Sequence, residues 1–251
     1  MLLFVHGMGA YNKDYWLPWA SKLLPELAAL GLFLRQEDCY GIFYDDLVPC
    51  QNHTEYKNEL RALAQTEFES YKASDPALQS LGPLVKKWAE AVVDSFGDIF
   101  NYLYVPKAHQ EVNKRVYQVL ARARAPVTLI GYSLGSLVGY CALQENPQAA
   151  RSVGHLILVG SPLYWFKHGV GQHVDFTLKP RVGRFTNIAG ILDIAWPQKV
   201  AEVVAGLDQD VHFLIDPLNP IRGHHKYWEH RQSLALLAQA VVRGWKQGSL
   251  A

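Results

Sequence analysis

The chain has 251 residues, 49% apolar, 12% aromatic and 19% charged, enough to bury a substantial core in one α/β domain. That apolar fraction, with 13 Pro and 19 Gly spread along the chain, excludes a disordered or low-complexity protein. Lys+Arg 24 against Asp+Glu 23 leaves a formal charge of +1, so no net field favours nucleic acid or an anionic membrane.

No apolar stretch approaches the ~18 residues that a membrane-spanning helix requires. Cys39, Cys50 and Cys141 are widely spaced and make neither a disulfide framework nor a Cys-rich metal site. The chain opens on the apolar, strand-like run Leu2-Leu3-Phe4-Val5, followed at once by His6-Gly7-Met8-Gly9. A secretory leader needs a charged start, a longer apolar stretch and a small-residue cleavage site. A leaderless, cytoplasmic chain is therefore expected.

Trp16, Trp19, Ala20, Leu23, Leu24 and Leu27 recur at helical spacing and predict a helix over 16–30, closed by Gly31 as C-cap. A strand is expected over 40–44. From 47 to 124 the pattern is helical, with a break at Ser74-Asp75-Pro76. A crossover between parallel strands needs only about a dozen residues. The excess predicts a helical cap or insertion over 47–110, although a further pair of core helices fits the same pattern. Val112, Val116, Val119 and Leu120 lie on the helix that returns to the sheet. Strands follow over 127–131, 156–159, 185–188 and 211–215, and helices over 136–143 and 232–245. Short apolar runs alternating with helices predict an α/β fold, a mostly parallel sheet covered on both faces. No Gly/Ser linker divides it, so a single domain over 1–251 is expected.

The most informative stretch is Val127-Thr128-Leu129-Ile130-Gly131-Tyr132-Ser133-Leu134-Gly135. An apolar strand runs into Gly-x-Ser-x-Gly, and a helical pattern follows. A nucleophile on a sharp strand-to-helix turn leaves no room for side chains on either flank, which glycine at 131 and 135 satisfies. The helix start beneath Ser133 supplies free N–H groups and partial positive charge for a developing oxyanion. A purely structural glycine turn is the alternative. Gly7-Met8-Gly9 lacks the third glycine and the acidic residue of a dinucleotide site.

With these motifs the chain resembles the α/β-hydrolase family of serine lipases and esterases. Val5-His6-Gly7-Met8 is similar to the family's His-Gly dipeptide after an early strand. Gly160-Ser161-Pro162 is similar to the turn after the strand that follows the elbow. The chain is expected to depart from the family at its start: the His-Gly strand begins at residue 2, so the family's first two strands are expected to be missing. Residues 47–124 carry no matching motif.

In that family the triad runs Ser, then Asp or Glu, then His, each at a strand's C-terminal end. Asp193 lies in the loop after the 185–188 strand, and resemblance to lipases with an Asn-Ile-x-x-x-x-Asp stretch favours it. A helix-capping turn aspartate is the alternative, and Asp208 and Asp210 are rivals in the same connection. Asp216, followed by Pro217, reads as a turn residue. The base belongs between the last strand and the last helix, where His224 and His225 are adjacent. The esterase-like pattern His-x-x-Tyr-Trp selects His224, and His225 stays open. Adjacent histidines are awkward metal ligands, so no metal is expected. His53, His109, His155, His168, His173, His212 and His230 read as surface or core residues.

The resemblance also implies an oxyanion hole built from the backbone N–H groups of Leu134 and Met8. Tyr132, Trp165, Trp196 and Trp228, with Tyr164, are candidates for an apolar pocket, although core positions are the other reading. The expected activity is serine-dependent cleavage of a small carboxylic ester through an acyl-enzyme, with no cofactor. A lid over an apolar pocket would suit lipid-like esters. A thioesterase, amidase or acyltransferase with the same triad is one alternative. A non-catalytic binding protein on the same scaffold is another.

Overall fold

The computed structural model describes residues 1–48, 97–124, 126–196, 198–216 and 218–248. Of the helical insertion expected over 47–110, residues 49–96 lie outside the described residues. In chain order the elements are β1 (Leu2–Val5), α1 (Trp16–Ala29), β2 (Cys39–Ile42), α2 (Gly97–Tyr104) and α3 (Pro106–Leu120). Then come β3 (Val127–Tyr132), α4 (Leu134–Glu145), α5 (Pro147–Ala150), β4 (Val153–Val159), α6 (Lys167–Gly171) and β5 (Arg184–Ile191). The chain closes with α7 (Val200–Val203), β6 (Gln209–Leu214), α8 (Pro220–His225) and α9 (Arg231–Gly248).

The six strands form one sheet in the order β2-β1-β3-β4-β5-β6, and every pair is parallel. The fold is therefore of the α/β class. Successive side chains alternate between two cores. Leu2, Phe4, Ile130, Tyr132, Ile157 and Val159 face α1 and α9, meeting Trp19, Leu23, Leu237 and Val241. Leu3, Val5, Leu129, Leu156 and Leu158 face α3 and α4, meeting Val112, Val116, Leu137 and Val138. Both faces are covered, which is why the central strands read as unbroken apolar runs. Helix α4 is buried from Leu134 to Leu143.

From β1 the chain passes to β2 on one side and later to β3 on the other. The loops leaving β1 and β3 therefore diverge, and open parallel sheets form a crevice at such a reversal, beyond the strands' C-terminal ends.

Helix α1 ends as its sequence predicts. Gly31 takes φ +83, its N–H reaches Ala28 O at 3.0 Å, and Leu32 N–H reaches Leu27 O at 2.9 Å. This is the paired closure a left-handed glycine allows.

Strand β4 begins at Val153, ahead of the expected 156, because buried His155 replaces an apolar residue there and bonds Thr186 Oγ1 at 2.8 Å. Strand β5 runs to Ile191, past the expected 188, since Ala189, Gly190 and Ile191 pair with His212, Phe213 and Leu214. The turn comes only at Leu192, with φ +65. Helices α5 to α8 span four to six residues each, too short to carry a readable period. Among the described residues no helix is long and apolar enough to cross a membrane.

Candidate active site

Ser133 stands alone between the end of β3 and the start of α4, with φ 53 and ψ −124. That backbone conformation costs a non-glycine residue about 1–3 kcal/mol and persists only where its surroundings enforce it. Here Ser133 N–H donates to Val159 O at 2.9 Å, and Ser133 O accepts Ser136 N–H at 2.9 Å. Ser136 Oγ lies 2.6 Å from Ser133 O and 2.7 Å from Ser161 Oγ, tying the turn to the loop after β4. A Cβ on Gly131 would fall on the backbone of Gly135, and one on Gly135 would fall on the carbonyl oxygens of Val5 and His6. Glycine at these positions lets the start of α4 sit directly against the end of β1.

Two side chains distant in sequence converge on Ser133. His224, on α8 and 6% exposed, places Nε2 2.9 Å from Ser133 Oγ. Its Nδ1 lies 3.3 Å from Asp193 Oδ2. Asp193 follows the Leu192 turn after β5 and is fully buried. A buried carboxylate needs donors to offset lost hydration, and Asp193 has four. Ala195 N–H reaches Oδ1 at 2.5 Å, and Oδ2 receives Tyr227 O–H at 2.5 Å, Gln198 Nε2 at 3.0 Å and the imidazole. Tyr227 also accepts Gly190 N–H at 2.6 Å. Burial, reinforced by the Asp193 charge, raises the Tyr227 pKa far above that of a free phenol, so it stays a donor. With Nδ1–H directed at a carboxylate, the Nε2 lone pair faces the hydroxyl, an arrangement able to take the Ser133 proton.

The sequence reading missed Tyr227 and Gln198 as partners of Asp193. Tyr227 lay inside the His-x-x-Tyr-Trp pattern, whereas Gln198 had no local signal. The rival residues lie elsewhere. His225 stands at the cleft mouth with its ring centroid 6.2 Å from that of His224, and partial burial, then the neighbouring His224, lowers its pKa. Asp208 binds Lys179 Nζ and Phe185 N–H, and Asp210 binds Asn187 Nδ2 and His212 Nε2. Both lie at the N-terminal end of β6, at the opposite end of the parallel strands from Ser133. Asp216 organises its turn, accepting Leu218 N–H, Asn219 N–H, Arg222 Nε and Lys226 Nζ.

The loop after β1 is shaped by His6. This buried ring donates from Nδ1 to Gly7 O at 2.8 Å and accepts Tyr44 N–H at Nε2, 3.2 Å away. It stacks on Tyr44 with centroids 4.0 Å apart, and burial lowers its pKa to about 4. The neutral imidazole thus holds the turn from which Met8 lines the site. Leu134 heads α4, where N–H groups have no acceptor within the helix.

A cleft of about 240 Å³ opens over Ser133, lined by Met8, Gly9, Asp98, Tyr132, Ile194 and Ile221 with His224 and His225. Tyr132 donates its O–H to His224 O at 2.6 Å. The three tryptophans expected in a pocket do not line this cleft. Trp228 stacks on Trp19 in the α1/α9 core, with centroids 4.3 Å apart and planes 9° apart. Trp165 is buried in the opposite core with its indole N–H on Ala195 O at 3.2 Å, and Trp196 packs against that core. Tyr164 borders a separate surface hollow of about 600 Å³.

One group away from the cleft has metal-ligand chemistry: His109, Glu145 and His173, whose ligand atoms lie within 4.8 Å of one another. The two imidazoles stack face to face, 3.7 Å apart and 11° from parallel. An ion lying in the plane of one ring would be out of the plane of the other, so this arrangement suits a His109–Glu145 hydrogen bond better than a shared cation.

Neither the known family models nor the curated proteins contain a match to this chain.

Proposed function

We propose that this protein is a serine hydrolase of the α/β-hydrolase family that cleaves carboxylic esters. The observation that carries the reading is the hydrogen-bonded run from Asp193 Oδ2 through His224 to Ser133 Oγ, at 3.3 and 2.9 Å, on a strained turn at a sheet reversal. The family assignment rests on the Gly-x-Ser-x-Gly turn, the chain order Ser133, Asp193, His224 and the parallel sheet beneath them.

Ser133 Oγ attacks the acyl carbon while His224 Nε2 takes its proton, and Asp193 holds the imidazole and balances its charge. The tetrahedral oxyanion faces the N–H groups of Leu134 and Met8, each such donor being worth roughly 10²–10³ in rate. His224 then protonates the departing alcohol, and a water activated by the same imidazole releases the acid.

The test is labelling by a fluorophosphonate, with hydrolysis of p-nitrophenyl esters and matched thioesters. The parent should label, and Ser133→Ala and His224→Ala should not, while His225→Ala should behave as the parent. Turnover of thioesters far above oxygen esters would replace the esterase reading by a thioesterase. A folded parent that neither labels nor hydrolyses any acyl substrate would refute the enzyme reading and favour a binding protein.

A further inference from the structure

The wall of the Ser133 cleft is largely carbon, from Met8, Tyr132, Ile194 and Ile221. One carboxylate interrupts it. Asp98, in the first turn of α2, lines the same cavity and is half-buried. Among the described residues it has no hydrogen-bond or ion-pair partner, and among them no Lys or Arg lines the cavity.

Asp98's charged neighbour works against it: the Asp98 charge adds to burial in raising the pKa of Asp45 to about 6. Burial alone pushes the Asp98 pKa upward. A half-buried carboxylate with no cation to balance it among the described residues loses hydration without compensation, whereas the other acids near the cleft are served. Asp193 has four donors, and Asp45 accepts Tyr11 N–H at 2.6 Å. The unmet charge faces the space that a substrate would occupy. A ligand cation would supply the missing partner.

We propose that Asp98 makes this cleft selective for esters that carry an ammonium group, over neutral esters of the same shape. The proposal rests on the serine-hydrolase reading above. Anionic acyl carriers would meet the same carboxylate with repulsion.

The test compares kcat/KM for 2-(trimethylammonio)ethyl butyrate and its uncharged isostere 3,3-dimethylbutyl butyrate at pH 8. The two differ in charge and hardly in shape, so their ratio isolates the electrostatic contribution. The parent should prefer the cationic ester by about tenfold, the scale of one charge pair across a partly solvated cleft. Asp98→Asn should bring the ratio near one, and Asp98→Glu should restore most of it. General damage to the site would lower both rates and leave the ratio unchanged. A parent ratio near one, or a preference retained in Asp98→Asn, overturns the proposal. Fluorophosphonate labelling without turnover of either ester overturns it as well and leaves the serine-hydrolase reading standing. Absence of both labelling and turnover removes the serine-hydrolase reading and this proposal with it.

Discussion

Replacing Tyr227 by Phe removes one oxygen and leaves the ring that fills the fully buried site between Phe213 and Tyr132, with centroids 5.9 and 6.0 Å away. That oxygen serves three partners: it accepts Gly190 N–H and Gln198 Nε2 and donates to Asp193 Oδ2. Gly190 N–H, donating at 2.6 Å, becomes a buried donor without an acceptor, at a cost of about 1–3 kcal/mol. Asp193 Oδ2 loses its shortest hydrogen bond, at 2.5 Å, and a bond to a charged group contributes about 1.5–3 kcal/mol. Gln198 still reaches the same oxygen at 3.0 Å, so the carboxylate is not abandoned. The expected loss is about 3–5 kcal/mol, a fall in Tm of about 6–20 °C for a chain of this size. Denaturant unfolding with an unchanged m-value would measure it directly. Because Tyr227 and His224 share Oδ2, the substitution should also lower kcat about tenfold while KM moves little, as expected for a positioning residue. A stability loss below about 1 kcal/mol, or an unchanged kcat, would refute this account of the Asp193 network.

His6 and His155 are both buried, with pKa values lowered to about 4 by desolvation. Unfolded histidine titrates near 6.5, so between about pH 6.5 and 4 the unfolded chain takes up protons that the native state refuses. Stability should be complete above that window and fall as pH drops through it, by up to about 1.4 kcal/mol per pH unit for each histidine. Asp45, raised to about 6, binds its proton more readily when folded and opposes this with the slope of a single group. Equal stability at pH 7.5 and 5 would contradict the scheme. Gly135→Ala should destabilise by about 1–3 kcal/mol or more and abolish labelling, since its Cβ meets the carbonyls of Val5 and His6. Gly139→Ala on the same helix meets the side-chain methyls Leu129 Cδ2 at 3.4 Å and Leu156 Cδ1 at 3.6 Å, ordinary van der Waals contact, and should be neutral or stabilising. Similar melting temperatures for the two variants would show that the close approach of β1 and α4 is misjudged. Trp228→Ala should cost about 3–5 kcal/mol as a core truncation, whereas Ile221→Ala, 45% exposed on the cleft rim, should change KM and leave stability near that of the parent. Steady-state kinetics beside unfolding curves would separate them, and the opposite pattern would move Trp228 into the substrate pocket.

Much of the sheet was legible in the sequence because it is buried on both faces, so β1, β3 and most of β4 are nearly pure apolar runs. Helix α1 was legible through its Trp19, Leu23, Leu27 stripe and its Gly31 cap. The Ser133 turn was legible because steric demands act between neighbours: glycine is needed two residues to either side, and a strand and helix must flank it. What local pattern could not supply was the choice among similar residues. His224 and His225 are adjacent in sequence, yet one lies 2.9 Å from Ser133 Oγ and the other stands at the mouth. Asp193, Asp208 and Asp210 are close in sequence, yet Asp193 lies beyond the C-terminal end of β5 and the other two at the N-terminal end of β6, because β5 runs on to Ile191 and turns only at Leu192. Of three tryptophans near the motifs, Trp165 and Trp228 proved to be core residues and Trp196 packs against the core, for an indole's burial depends on the helices packed over it. Tyr227, Gln198 and Asp98 gained their roles by the same route. The sequence by itself determined the α/β layering and the sharp serine turn, since both follow from apolar periodicity and backbone sterics acting within a few residues. Only the tertiary structure decided which side chains meet there, because Asp193 and Ser133 stand 31 and 91 residues from His224 in the chain, and contacts over such separations depend on how strands and helices pack.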